Sequence, residues 1–226
     1  MTIDRVISLL WLYSRIFYNY KEYGVENIPR TGAVIFGFNH PGKLLADLFA
    51  GLAVIRHRDE IPTVVAPEGM YQGAGSLLAE GSELSSDAIA GRILRWGIKY
   101  APTIGIKRSG GSSPTHNLEI LKELQSGKAV FLAMEGEVSW HGRSNPSRGG
   151  APWMALRSHA PFIPIAVSGS YDIWPRWESK PKLTGNVSVN IGKPMYFSEE
   201  IPEWISKQMV EDAGNQIMQA VDDLLQ

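Results

Sequence analysis

The chain contains no cysteine, which removes disulfides, thiolate metal sites and cysteine nucleophiles together. It also has no charge excess: 22 basic side chains face 23 acidic ones, for a formal net charge of -1. Nucleic-acid binding calls for a strong basic footprint, so no nucleic-acid partner is expected. No apolar run approaches the roughly 20 residues that a membrane-spanning helix needs. The stretch from Val6 to Tyr13 is far too short. Asp4 precedes it, and aromatic and charged residues follow it, so it does not read as an export signal. There is no Gly-x-Ser-x-Gly elbow, which argues against a serine hydrolase. His57, His116, His141 and His159 lack metal-ligand spacing and read as surface residues.

What is present describes one globular domain. The 226 residues are 44% hydrophobic and 20% charged, a composition that can bury a sizeable core. Ile3, Val6, Ile7, Leu10, Tyr13 and Phe17 recur at three- and four-residue spacing, which predicts an amphipathic helix over residues 2–20. Such a helix either packs on its own domain or lies in a membrane interface. Residues 1–23 are therefore read as an N-terminal amphipathic segment and 24–226 as the main domain. Residues 24–29 read as an extended lead-in. Short apolar strands are expected at Ala33–Phe38, Pro62–Ala66, Thr103–Ile106, Ala129–Ala133, Phe162–Val167 and Val187–Ile191. Helices are expected at about 43–55, 89–100, 117–125 and 151–158, and from about Glu203 to the end. The stretch 71–87, rich in Gly, Ser and Ala, is expected to be a mobile loop or a loosely held insertion. Strands alternating with helices imply an α/β domain with a mostly parallel or mixed sheet flanked by helices.

In such sheets ligands gather beyond the carboxyl ends of the strands. Three polar clusters fall there: Asn39-His40, Lys107-Arg108 and Glu135-Gly136. A base, two cations and a carboxylate at one sheet edge make a candidate site. Glu68-Gly69 looks like the last cluster but lacks its following context and reads as a plain turn.

Taken in order, these segments resemble the glycerolipid acyltransferases, the lysophosphatidic acid and glycerol-phosphate acyltransferase group. Val25-Glu26-Asn27-Ile28-Pro29, an apolar strand and Asn39-His40 resemble the family's first block. Ile104 to Arg108 resembles the second, and Phe131 to Gly136 the third. Arg148-Gly149-Gly150-Ala151 matches the basic residue and glycine ahead of a small-residue helix, and Phe162 to Gly169 resembles the fourth block. The resemblance covers roughly residues 24–195, and implies that family's fold and activity.

It implies that a fatty acyl group moves from an acyl thioester, acyl-CoA or acyl carrier protein, to a hydroxyl of a lysophospholipid or related phosphate-bearing acceptor. His40 would act as general base and Asp47 would orient it. Asn39, Lys107, Arg108, Glu135, Gly136 and Arg148 would contact substrate. No metal or other cofactor is implied, and the protein would sit on the cytoplasmic side as a peripheral membrane enzyme. Acylation of a non-glycerolipid acceptor, or non-catalytic lipid binding, are the competing readings.

Two departures bear on this. The family's histidine and aspartate enclose four residues, whereas His40 and Asp47 enclose six. On one continuous helix seven positions share a face but lie about 10 Å apart along the axis. The two meet only if His40 precedes the helix and Pro41-Gly42 folds the chain back; otherwise another carboxylate orients His40, or none does. In the third block Met134 and Glu137 stand where the family usually has Pro and Thr. A carboxylate at 137 adds an unfavourable charge beside a phosphate site.

Overall fold

The computed structural model describes residues 3–43, 45–67, 102–106, 114–197 and 204–226. The expected loop at 71–87, the expected helix at 89–100 and the turn at Glu68-Gly69 lie outside the described residues, as do Lys107 and Arg108.

Helix α1 (Ile3–Phe17) opens the chain and is followed by the short strand β1 (Lys21–Tyr23). Then come β2 (Val34–Phe38), α2 (Leu45–His57), β3 (Thr63–Pro67) and β4 (Thr103–Ile106). The second half comprises α3 (Pro114–Gln125), β5 (Ala129–Ala133), α4 (Gly150–Ser158), β6 (Phe162–Ser168), the single turn α5 (Ser170–Ile173), β7 (Ser188–Ile191) and α6 (Lys207–Leu224). All the expected strands form, within a residue or two. The last helix begins at Lys207 rather than about Glu203, the single turn α5 has no counterpart in the sequence reading, and two further features differ from it. Residues 25–27, inside the expected extended lead-in, form a 3-10 turn. The edge strand β1, Lys-Glu-Tyr, has no apolar signature to betray it.

The strands form one sheet in the order β1-β7-β6-β2-β5-β3-β4. Every neighbouring pair is parallel except β6 with β7. Helices α2, α3 and α4 follow β2, β4 and β5 and carry the chain to the next parallel strand, whereas only one helical turn and a loop join β6 to β7, so the chain returns antiparallel.

The sheet is covered on both faces, and the alternation along each strand says why. Val34, Phe36 and Phe38 of β2 join Phe131, Ile163, Ile165 and Val167 under α1 and α2. Ile35 of the same strand joins Val130, Leu132, Phe162 and Ala166 under α3, α4 and α6. Successive side chains of a strand point to opposite faces, so two apolar layers need strands that are apolar throughout. Phe36, Phe38, Phe162 and Ile163 are fully buried, and each contributes on the order of 1.5–3 kcal/mol by leaving water. Helix α6 begins where the Ser206 hydroxyl oxygen accepts the Met209 N–H at 3.1 Å, a side-chain N-cap.

Helix α1 is held at its end by main-chain bonds from Gly185 to Phe17 and from Val187 to Tyr18. Ile7, Leu10 and Trp11 pack inward against the core. Leu9, Leu12, Tyr13, Ile16 and Phe17 stay exposed on the outer flank. Among the described residues no helix is long and apolar enough to cross a membrane. His57, read from sequence as a surface residue, instead bonds Glu22 at 3.2 Å beside the Arg56–Glu22 pair at 2.9 Å. That cluster fastens the end of α2 to β1.

Candidate functional site

Strand β2 runs between β6 and β5, with Phe38 level with Ile165 and Ala133. The segments that leave β2 and β5 at their carboxyl ends therefore emerge side by side. They carry Asn39-His40 and Met134-Glu135.

Asn39 is 2% exposed. Its Oδ1 accepts the Val167 N–H at 2.7 Å, and its Nδ2 donates to the Val167 carbonyl at 3.2 Å. The side chain thus acts as an extra rung between β2 and β6. Asn39, expected from sequence to contact substrate, has both polar ends committed to the main chain and serves instead to fix the residue before His40.

His40 is clamped through its backbone. Its N–H donates to Glu135 Oε1 at 3.0 Å, and its carbonyl accepts the Ser139 N–H at 2.9 Å. The ring lies edge-on to Phe38, 6.0 Å between centroids. Its Nε2 is 2.8 Å from Asp47 Oδ2. Helix α2 starts at Leu45, so Asp47 sits in its first turn while His40 lies ahead of the helix. The six-residue gap is thereby closed by the fold-back that Pro41-Gly42 provides. A carboxylate in a helix's first turn is also favoured by the helix dipole. The side chains of His40 and Asp47 are 14% and 28% exposed, so the pair is sheltered but not sealed.

Gly42 is essential to that fold-back. A Cβ there would lie 2.5 Å from the Ser170 carbonyl oxygen and 2.6 Å from its carbon. Both are backbone atoms at the start of α5 and cannot swing aside. Gly42→Ala is expected to destabilise the protein by about 1–3 kcal/mol, as overpacking does. A urea midpoint lowered against the unaltered chain is the expected reading, and an unchanged midpoint contradicts it.

Glu135 is 3% exposed. Oε1 takes the His40 N–H, and Oε2 accepts from Asn145 Nδ2 at 2.8 Å. Burial pushes its carboxyl above the ordinary carboxylate range, and the bonds from His40 and Asn145 pull it back. Expected to contact substrate, Glu135 has both oxygens used inside the protein. It ties the His40 main chain to the loop that carries Asn145, which is a positioning role. Gly136 has φ +69°, and a Cβ there would lie 2.6 Å from Arg148 Cδ. Its bare backbone lets the Arg148 side chain pass, so its place in the site is to make room for that arginine.

Arg148 is anchored at its base, with Nε donating to the Glu135 carbonyl at 3.1 Å and its N–H to the Met134 carbonyl at 2.9 Å. Its side chain is 57% exposed. The Glu137 carboxylate lies 3.8 Å from Arg148 Nη2 and 3.3 Å from Arg176 Nη1. The extra negative charge noted in the sequence is thus already offset by two guanidiniums. Lys43, three residues past His40, donates Nζ to the Glu178 carbonyl at 2.7 Å.

The site therefore joins His40, Asp47, Asn39, Glu135, Gly136 and Arg148. Lys107 and Arg108, the remaining expected substrate contacts, lie outside the described residues. Among the described residues no group of three or more His, Asp or Glu is placed to hold a metal ion. Sequence reasoning missed Ser139, Asn145 and Arg176. The first two sit in a segment that composition marks only as loop, and nothing local links Arg176 to His40.

No protein-family profile matches the chain. A chloroplastic 1-acyl-sn-glycerol-3-phosphate acyltransferase of Brassica napus is 28% identical over 131 residues, covering 58% of this chain and 36% of that protein. A chloroplastic enzyme of the same name from Arabidopsis thaliana is 30% identical over 108 residues, covering 47% of this chain and 30% of that protein. The matched segments thus span about a third of these curated relatives. The crystal structure of the 1-acyl-sn-glycerophosphate (LPA) acyltransferase PlsC from Thermotoga maritima superposes with a TM-score of 0.64, covering 98% of this chain and 79% of that one at 17% identity. The fold is shared with that structure: one α/β domain with a mixed sheet between helical layers.

Proposed function

We propose that this chain, a relative of the glycerolipid acyltransferases in sequence and in fold, transfers a fatty acyl group from an acyl thioester to a hydroxyl of a phosphate-bearing lipid acceptor. The observation that carries the reading is the His40–Asp47 contact of 2.8 Å at the carboxyl end of a central parallel strand. A hydroxyl is a poor nucleophile near neutral pH, and an imidazole is the side chain suited to relieve it of its proton there. In the tautomer that donates from Nε2 to Asp47 the lone pair is on Nδ1, a buried atom, so the acceptor hydroxyl has to enter beside the ring for that nitrogen to take its proton. The hydroxyl oxygen then attacks the thioester carbonyl, the C–O bond forms and the C–S bond breaks. The imidazolium returns its proton to the departing thiolate. Asp47 holds the tautomer and stabilises the imidazolium in between. No enzyme nucleophile is involved, so no acyl-enzyme forms, and the thioester supplies its own leaving group.

Arg148 offers a forked guanidinium to the acceptor's phosphate. Lys107 and Arg108 are assigned to the same task by resemblance. The exposed flank of α1, with Leu9, Leu12, Tyr13, Ile16 and Phe17 outward, suits a membrane interface where such an acceptor resides.

One experiment tests these parts together. The purified protein is mixed with radiolabelled acyl-CoA, or acyl-acyl carrier protein, and vesicles containing lysophosphatidic acid, and in parallel with a panel of other hydroxylated lipids. The expected result is labelled diacylated phospholipid and co-sedimentation of the protein with the vesicles. Label in a lipid without phosphate would shift the acceptor to another class, and no labelled product from any acceptor would overturn the reading.

A further inference from the structure

Arg176 lies on the loop after α5, far in sequence from His40 and from the residues it contacts, yet it is built into the site. Its Nη1 donates to the Val138 carbonyl at 3.0 Å and reaches Glu137 Oε2 at 3.3 Å. Its guanidinium carbon sits 4.2 Å from the centre of the Trp140 ring. Val138 and Trp140 flank Ser139, whose N–H holds the His40 carbonyl at 2.9 Å. Arg176 is therefore anchored on both sides of a bond that fixes His40.

Arg148 meets the same carboxylate, at 3.8 Å from Glu137 Oε1, so two guanidiniums share one counterion. A third cation is close. The Lys43 ammonium is lowered from its ordinary range chiefly by burial, and the neighbouring Arg176 charge adds to that while Glu178 opposes it. Among the described residues Glu137 is the one carboxylate paired with these two arginines, which leaves them under-neutralised. The side chains of Glu137, Arg148 and Arg176 are 50%, 57% and 34% exposed. Ion pairs as open as this are weak and readily exchanged. A phosphate brings more charge and three acceptor oxygens, which two planar forks can engage together. The Trp140 ring beneath the guanidinium carbon helps hold Arg176 in place in advance, so less freedom is lost when an anion binds.

We propose that Arg176 and Arg148 form a phosphate-binding pair whose resting counterion is Glu137, which gives way when a substrate phosphate enters. The proposal rests on the acyl-transfer reading, within which the phosphate belongs either to the acceptor or to the thioester donor. Arg176 is thereby a binding residue that no motif in the sequence marks, and Glu137 tunes how tightly the phosphate is held.

The test compares Arg176→Gln, Arg176→Lys and Glu137→Gln with the unaltered protein. Acceptors are lysophosphatidic acid and monoacylglycerol, which lacks the phosphate. Donors are acyl-CoA and the acyl thioester of N-acetylcysteamine, which lacks all phosphates. Loss of a charged hydrogen-bonding partner from uniform binding raises KM far more than it lowers kcat. Arg176→Gln is expected to raise KM at least about tenfold for one phosphate-bearing substrate and to leave its phosphate-free analogue nearly unaffected. Which substrate shifts identifies the source of the phosphate. Arg176→Lys is expected to recover part of the loss, because it restores charge without the fork. Glu137→Gln is expected to lower the same KM severalfold. Equal KM shifts with and without phosphate, no shift at all, or a raised KM in Glu137→Gln would each overturn the proposal. A calorimetric titration with sn-glycerol 3-phosphate needs no turnover. A parallel titration with coenzyme A covers the donor phosphates: weaker binding of either ligand in Arg176→Gln than in the unaltered chain supports the pair even if acyl transfer fails, and equal binding of both contradicts it.

Discussion

His40→Ala is expected to lower kcat/KM on the order of a thousandfold, within the range that positioned general bases contribute. The loss should fall on kcat, since the imidazole acts on the proton as the transition state forms. The fold should survive. His40 is held through its backbone by Glu135 and Ser139, and neither bond needs the ring. Asp47, at 28% exposure, regains water when the ring is removed and is not left as a sealed charge. An unchanged circular dichroism spectrum together with the kinetic loss is the expected pair of readings. Activity within about tenfold of the unaltered enzyme would deny His40 the role of base.

Asp47→Asn is expected to cost at least about a hundredfold in kcat, although it preserves size and shape. The side-chain amide can donate where the carboxylate could only accept. A donor facing Nε2 favours the tautomer with its hydrogen on Nδ1, and that nitrogen then cannot take the substrate proton. The variant also removes the charge that stabilises the imidazolium. Asp47→Ala removes that charge and the orienting bond but does not impose the wrong tautomer. The kcat of Asp47→Asn should therefore be no better than that of Asp47→Ala. If Asp47 only supported the first turn of α2, the isosteric change would leave turnover close to normal.

The sequence read best where burial left a periodic mark. Strands β2, β5 and β6 are apolar at successive positions because helices cover both faces of the sheet, so their runs stand out. Strand β1 is a polar three-residue edge, legible only through its pairing with β7. The antiparallel turn-back of β7 depends on how the loop after α5 packs, which no local pattern encodes. The His40–Asp47 contact was foreseeable as a condition on the Pro41-Gly42 turn, and the geometry meets that condition. The roles of Asn39 and Glu135 were not, because a polar residue beside a histidine reads alike whether it touches substrate or backbone. Their burial decides the matter. Arg176 was invisible for a different reason: it joins the site through contacts to residues 137–140, some forty positions earlier.

The account depends on a neutral imidazole at position 40 accepting the acceptor's proton. The most direct test is the pH dependence of kcat/KM with saturating donor, measured for the unaltered enzyme and for the residual activity of His40→Ala. The account predicts that the rate falls about tenfold for each pH unit once the imidazole becomes protonated, and that this limb is absent from the variant. A limb of the same slope in both proteins would contradict it.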